Sequence, residues 1–289
     1  LLCWGCATKT LAGIVVELSL VVENRLHDLA GGLIAWTTPS EPTPEQLIVC
    51  CFCAHRGLHD DPRIPENTMA SLAAVLRFED IHGVEFDIRW TKDLVPMVFH
   101  DPDLQRVFGS SERLVDLTST ELRQRFPLIP TLSEVVQRLG ERKHLMIEIK
   151  EEHYPEPEHQ LEILQETLAG LVPGEHFHFL LLNPATYEKL SAFPKASVLL
   201  VGGFNVAEIS EAVSSQDFGG IGGQYLLMPD TEVQRHLQQG KIVGTGYPRS
   251  WPAFCRELSR GVTYLFSNQA QALAKILAQE RLRLSLDPH

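Results

Sequence analysis

The sequence predicts an α/β protein built as a (β/α)8 TIM barrel, with a short insertion after the second strand and a helical extension at the amino terminus. Three observations predict it. Short β-rich runs alternate with helical stretches eight times from Leu47 onward; alternation of that kind implies right-handed parallel crossovers, and eight units close a ring. The segment 47–289 matches the ~250 residues that one such barrel needs. Charged residues also recur at alternate positions in strands whose parallel neighbours should make them wholly apolar.

Taken in order, residues 1–46 form an extension and linker ahead of the barrel domain at 47–289. The apolar run 11–22 is interrupted by Glu17 and falls short of the ~20 residues that span a bilayer. It is expected to lie as an amphipathic helix on the main domain, with contact to a membrane surface through residues 1–22, or an uncleaved leader, as the alternatives. Pro39, Pro42 and Pro44 then mark a linker over 37–45. Strands are predicted at 47–54, 83–89, 145–150, 176–182, 197–201, 222–226, 241–245 and 263–267. The helices between them are predicted at 68–78, 131–139, 158–171, 184–193, 206–214, 231–239, 251–259 and 269–279. The sixth strand is the weakest, because Gly219, Gly220, Gly222 and Gly223 dilute its propensity, and a doubly wound open sheet is the alternative fold.

Composition narrows the function. With 37 acidic against 25 basic residues, a net charge of −12, 44% hydrophobic and 21% charged residues, the chain is neither disordered nor polytopic. The acidic balance speaks against nucleic acid as a partner, since that requires a basic face. A small phosphate ester is compatible if a cation or a local basic pair offsets the field. Cys50 and Cys51 are adjacent inside an apolar run, Cys3 and Cys6 stand at the start and Cys255 is distant. That spacing suits neither a zinc site nor a disulfide framework. Free, mostly buried thiols and a reducing, cytoplasmic compartment are expected.

Period two places Val84, Phe86 and Ile88 on one face of the second strand and Glu85, Asp87 and Arg89 on the other. The third strand does the same, with Leu145, Ile147 and Ile149 opposite Met146, Glu148 and Lys150. If the apolar faces meet the outer helices, Glu85, Asp87 and Glu148 converge inside the barrel towards its carboxyl-terminal mouth. Uncompensated like charges cannot be buried. A hard divalent cation with oxygen ligands is the expected compensation, Mg2+ or Ca2+, with Mn2+ as a further choice. A salt-bridge network with Arg56, Arg89 and Lys150 is the alternative. His55 ends the first strand and His100 follows the run 95–99; both stand at the same mouth, where imidazoles can give and take protons near neutrality. The other histidines are read as structural.

These residues carry a resemblance. His55-Arg56-Gly57, Pro65-Glu66-Asn67-Thr68, Glu85-Phe86-Asp87, Thr91-Lys92-Asp93, His100-Asp101, Ile129-Pro130-Thr131-Leu132 and Glu148-Ile149-Lys150 occur in that order. Over 52–277 the chain resembles the glycerophosphodiester phosphodiesterase family. The resemblance implies a metal-dependent barrel that hydrolyses glycerophosphodiesters to an alcohol and glycerol 3-phosphate. It assigns His55 and His100 as the acid/base pair and Glu85, Asp87 and Glu148 as metal ligands. Arg56 and Lys150 match positions that contact phosphate, and Glu66 and Asn67 match the polar pair at the entrance of the first helix. The family's insertion after the second strand is short here, at 102–128.

The later strands depart from the family's pattern. Leu182 and Asn183 stand where a Ser-Phe pair is frequent, Gly244-Thr245-Gly246-Tyr247 where a Trp-Thr-x-Asn run is expected, and Asn268-Gln269-Ala270 in place of an Asp-x-Pro signature. These positions leave the identity of the substrate's alcohol open, with Tyr247 and Trp251 as candidate walls. Two other readings stay open: a phospholipase D-like lyase acting at membrane surfaces, and a catalytically silent barrel that binds phosphate ligands.

Overall fold

Among the residues described by the computed structural model, 41–286 together with Leu29 and Leu33, the chain first forms a short helix, α1 (Pro44–Val49). Thr43 and Gln46 close a capping box around its start, and Pro44 supplies the preset φ of a first helical position. Residues 47–49, expected in the first strand, are therefore helical. Leu47 turns inward while Ile48 and Val49 remain exposed, the pattern of a helix resting one edge on the core. The run 11–22 lies outside the described residues; Leu29 and Leu33 are helical and exposed.

The chain then enters β1 (Cys51–His55) and returns through α2 (Met69–Ala73), capped by Thr68 and Ser71 and extended by a 3-10 turn over Ala74–Arg77. β2 (Gly83–Trp90) is long, and its last residues form an antiparallel ladder with β3 (Pro96–Val98). The insertion that follows folds into α3 (Gln105–Phe108) and α4 (Ser119–Arg125). It holds a small core of its own, around Met97, Phe99, Leu104, Leu122 and Ile129. Next come α5 (Leu132–Leu139), β4 (His144–Ile149), α6 (Pro157–Leu168) and β5 (Phe177–Leu181). The helix expected at 184–193 is a 3-10 turn over Pro184–Leu190. The remainder alternates regularly through β6 (Val198–Gly202), α7 (Val206–Gln216), β7 (Gly220–Gln224), α8 (Asp230–Gln238), β8 (Ile242–Gly246), α9 (Trp251–Ser259), β9 (Tyr264–Ser267) and α10 (Ala270–Leu286).

Eight parallel strands follow one another in the order β1, β2, β4, β5, β6, β7, β8, β9, and β1 pairs with both β2 and β9. The ring is closed, so the open-sheet alternative does not hold. The weak sixth barrel strand exists but sits two residues earlier than expected, because the Gln224 side chain accepts from the amides of Leu226 and Leu227 and turns the chain there. A Cβ at Gly220 would lie 2.3 Å from the Ile242 carbonyl oxygen, so glycine is required for β7 to approach β8.

Strand parity decides what lies inside. Val84, Phe86, Ile88, Leu145, Ile147 and Ile149 join the large core between strands and helices. The ring's interior is plugged by Cys53, Met146, Leu180, Leu199 and Phe266, a filled layer rather than a pore. Above that layer, towards the carboxyl-terminal mouth, the interior positions turn polar.

Candidate active site

Glu85 and Asp87 project from β2 and Glu148 from β4, with Asp87 directly beside Glu148 in the ladder. One oxygen from each lies within 4.8 Å of the others. Glu85 and Asp87 are fully buried. Lys150, just past β4, reaches Asp87 at 2.6 Å and also bonds Glu148. The guanidinium of Arg56 lies 3.4 Å from Asp87, and the Asn67 amide donates to Asp87 at 2.7 Å. Arg89 belongs elsewhere: it pairs with Glu152 and donates to the His100 carbonyl.

Arg56 and Lys150 bring two positive charges to the three carboxylates, and Arg56 is shared with Glu66 at 2.8 Å. One negative charge is left over. Its burden falls on Glu85, whose carboxyl burial, together with Asp87 and Glu148, pushes well above the usual range. Burial and Asp87 also raise Glu148. Asp87 is held low despite its burial, by Lys150 and Arg56. Glu85 Oε1 and Asn67 Oδ1 are buried with no hydrogen-bond partner. Unpaired oxygens beside crowded carboxylates fit a hard cation, which takes oxygen ligands and removes the penalty of the like charges.

The loop after β1 is shaped around this cluster. Arg56 and Asn67 both adopt left-handed backbone at φ 56°. That conformation aims the Arg56 amide at Glu85 Oε2, 3.0 Å away. Gly57, at φ 82°, lets the loop touch α2; a Cβ there would lie 2.6 Å from the Ser71 carbonyl carbon.

His55 ends β1 in this setting. Its Nδ1 is 2.6 Å from Asn268 Oδ1 and so carries the proton that Asn268 accepts, which leaves Nε2 as the acceptor, 3.5 Å from Glu85. Burial, with Arg56 alongside, pushes this imidazole down to about 3, so at neutral pH it is uncharged. Tyr247 lies against it with ring centroids 4.3 Å apart. His100 follows β3, and its Nδ1 is held by Asp101 at 2.6 Å. Arg106 on α3 then bonds Asp101 at 2.6 Å and Glu66 at 2.6 Å. Opposing their own burial, these bonds hold Asp101 well below the usual range and Glu66 at about 2. The side chains of Arg56, Glu66, Arg106, Asp101 and His100 thus form one continuous chain of contacts across the mouth.

The structure therefore gathers Glu85, Asp87, Glu148, Lys150, Arg56, Asn67 and His55 at one mouth, and ties His100 to that group through Arg106. Glu66 binds the two arginines. Trp251 stacks on Phe254 at 5.2 Å in the core, and only Tyr247 of the two candidate walls lines the cavity. Sequence reasoning missed Arg106, and it named Asn268 only as a departure from the family's pattern, not as the partner of His55. Asn268 follows β9, 213 residues from the histidine it orients.

A barrel mouth that combines clustered carboxylates, two fixed cations and a proton-accepting imidazole has the residue types that metal-assisted chemistry on a phosphate ester requires. Comparison with known proteins agrees. The model of the glycerophosphoryl diester phosphodiesterase family matches residues 55–174. Glycerophosphodiester phosphodiesterase 1 of Mus musculus is 40% identical over 96 residues, 29% of this chain and 28% of that protein. A glycerophosphodiester phosphodiesterase of Caldanaerobacter subterraneus is 33% identical over 109 residues, 34% of this chain and 44% of its own length. The chain thus spans less than half the length of these curated relatives. The fold is similar to the crystal structure of glycerophosphodiester phosphodiesterase from Thermotoga maritima, with a TM-score of 0.66 and 21% identity, covering 78% of this chain and 98% of that one. It is also similar to an Oleispira antarctica phosphodiesterase in complex with the product sn-glycerol-3-phosphate, with a TM-score of 0.67 and 20% identity over 79% and 96% of the two chains. Over residues 55–174 the chain is thus similar to the glycerophosphodiester phosphodiesterase family.

Proposed function

We propose that this protein hydrolyses glycerophosphodiesters to an alcohol and glycerol 3-phosphate, with one divalent cation and the pair His55 and His100. The observation that carries the reading is the cluster of Glu85, Asp87 and Glu148 with its unpaired oxygens, lying against an imidazole whose Nε2 is free to accept. Those three carboxylates would hold the cation, Mg2+ or Ca2+, which when bound neutralises phosphate charge as a Lewis acid. Arg56 and Lys150 are the clamp for the remaining phosphate oxygens, a planar fork and a point charge respectively.

His55 is the base in this scheme. Burial keeps it uncharged, Asn268 fixes its tautomer, and Nε2 faces Glu85 at 3.5 Å. His100, oriented by Asp101, is the acid that protonates the departing alkoxide. The free thiols Cys50, Cys51, Cys53 and Cys255 support a reducing, cytoplasmic setting. Among the described residues no helix is long and apolar enough to cross a membrane.

The test is product analysis on a panel of glycerophosphodiesters, with and without chelator. Release of glycerol 3-phosphate is expected to stop on chelation and return with Mg2+, Ca2+ or Mn2+. His55→Gln and His100→Gln should each lower kcat by ~10²–10⁴ with the circular dichroism spectrum unchanged. Undiminished turnover in both variants would refute the assignment.

A further inference from the structure

By parity Arg89 falls on the same face of β2 as Glu85 and Asp87, yet it serves neither the cage nor the phosphate clamp. The end of the ladder decides its place. β3 runs antiparallel to the last residues of β2, with Ile88 opposite Val98 and Arg89 opposite Met97, and the Phe99 amide still donates to the Asp87 carbonyl at 3.0 Å. His100 is the next residue and lies past these pairs. Its carbonyl accepts from Arg89 Nε at 2.7 Å, a charge-assisted bond where the strand pairing has ended.

A second bond fixes the guanidinium. Nη1 donates to Glu152 Oε2 at 2.8 Å, and Glu152 Oε1 accepts from the Trp90 amide at 2.9 Å. Glu152 stands two residues beyond Lys150, and Lys189 Nζ donates to its carbonyl at 2.8 Å. Tyr154 completes the support: Lys189 Nζ lies 4.0 Å from its ring centroid, and the Trp90 ring meets it edge-on at 5.8 Å. The side chains of Arg89 and Glu152 are only 11% and 18% exposed, so water competes weakly for these bonds.

We infer that Arg89 and Glu152 are positioning residues for His100. This rests on the phosphodiesterase reading above and deepens it. A planar guanidinium donates in fixed directions, so its two bonds set the His100 backbone relative to the loop that carries Lys150. Asp101 and Arg106 orient the imidazole, and Arg89 fixes the backbone that bears it. With Nδ1 bound to Asp101, the proton leaves from Nε2. As the bond from phosphorus to the alcohol breaks, its electron pair goes to that oxygen, which takes the Nε2 proton. The hydroxyl of water bonds to phosphorus, and the other proton of the water passes to His55. Displacing His100 by ~1 Å slows such a step by ~10²-fold.

A leaving group that is stable as an anion needs no such proton. The experiment therefore compares glycerophosphocholine, whose alcohol departs as an alkoxide, with glycerol p-nitrophenyl phosphate, whose phenolate leaves unprotonated. In Arg89→Met, kcat for glycerophosphocholine is expected to fall ~10–100-fold, while its KM and the kcat for the nitrophenyl ester change less than ~threefold. Glu152→Gln keeps an acceptor for the Trp90 amide; it should show the same split with a smaller loss, and it carries the test if Arg89→Met does not fold. Added to His100→Gln, Arg89→Met should cost no further activity on glycerophosphocholine; an additive loss overturns the inference. Equal losses on the two esters in the Arg89 and Glu152 variants mark a general loosening of the mouth and overturn it, as does full activity of both variants. In each of these cases wild-type turnover leaves the phosphodiesterase reading standing. An equal loss on both esters in His100→Gln itself withdraws the acid role of His100 and this inference with it. A wild type that cleaves neither ester, with each of the three cations supplied, refutes the phosphodiesterase reading as well.

Discussion

Arg106 is the residue on which the geometry of the mouth converges. It belongs to the insertion and touches neither the carboxylate cage nor the cavity, yet it bonds both Glu66, which grips Arg56, and Asp101, which orients His100. It is a positioning residue. Arg106→Met is expected to lower kcat ~10-fold, the scale of effect seen when the partners that orient a working group are removed, with a smaller change in KM. The activity–pH profile should change with it, and Arg106→Lys should recover part of the loss. Identical profiles for wild type and Arg106→Met would show that His100 is held without it. None of this was legible from the sequence, because Arg106 lies on a short helix of the insertion where nothing in the sequence separates it from an ordinary surface arginine. The carboxylates were legible for the opposite reason: charge at alternate positions of a strand buried on both sides contradicts the rest of the pattern.

At the level of elements, parity worked where a strand had one anomalous face, and boundaries failed where local capping competed with apolar content. β2 and β4 lie close to their expected ranges. β1 begins later than its apolar run because Thr43, Pro44 and Gln46 start a helix inside that run. The amino-terminal ends of β4 and β5 carry a further cluster, read from the sequence as structural. His144 bonds the Glu175 carbonyl and His178 Nδ1, and the rings of His82 and Tyr264 pack around it. Burial pushes His144 down to about 3 and His178 to about 4. Their folded values lie below the unfolded one near 6.5, so the unfolded chain binds more protons between about pH 4 and 6.5. The stability that comes from keeping them neutral is present above that window and is lost as pH falls through it. Each proton taken up on unfolding contributes a slope of ~1.4 kcal/mol per pH unit. Urea denaturation of His178→Gln from pH 7 to pH 4.5 should show a shallower loss of stability than the wild type. Parallel curves would mean that the pair stays uncharged in both states.

On the scale of the whole molecule, the barrel holds its chemistry at one end and its packing at the other, and the surplus negative charge at the mouth is a cost carried by the entire fold. A cation that binds only the folded state offsets it. At one hundred times its dissociation constant the gain is ~2.7 kcal/mol, or roughly 5–10 °C in Tm for a domain of this size. Thermal unfolding followed by circular dichroism should show that rise with Mg2+, Ca2+ or Mn2+ over chelator, and Glu85→Gln should lose most of it. No change with any of the three would sink the assignment of the cage.

The seam between β1 and β9 has a consequence for how the protein is made. Partners across it, such as His55 and Asn268, are 213 residues apart. At ~5–20 residues per second a ribosome needs roughly 10–40 s to deliver the second after the first. Throughout that interval one flank of β1 offers bare amides and carbonyls to any neighbouring polypeptide, which makes the nascent chain a natural client for chaperones until its last strand emerges.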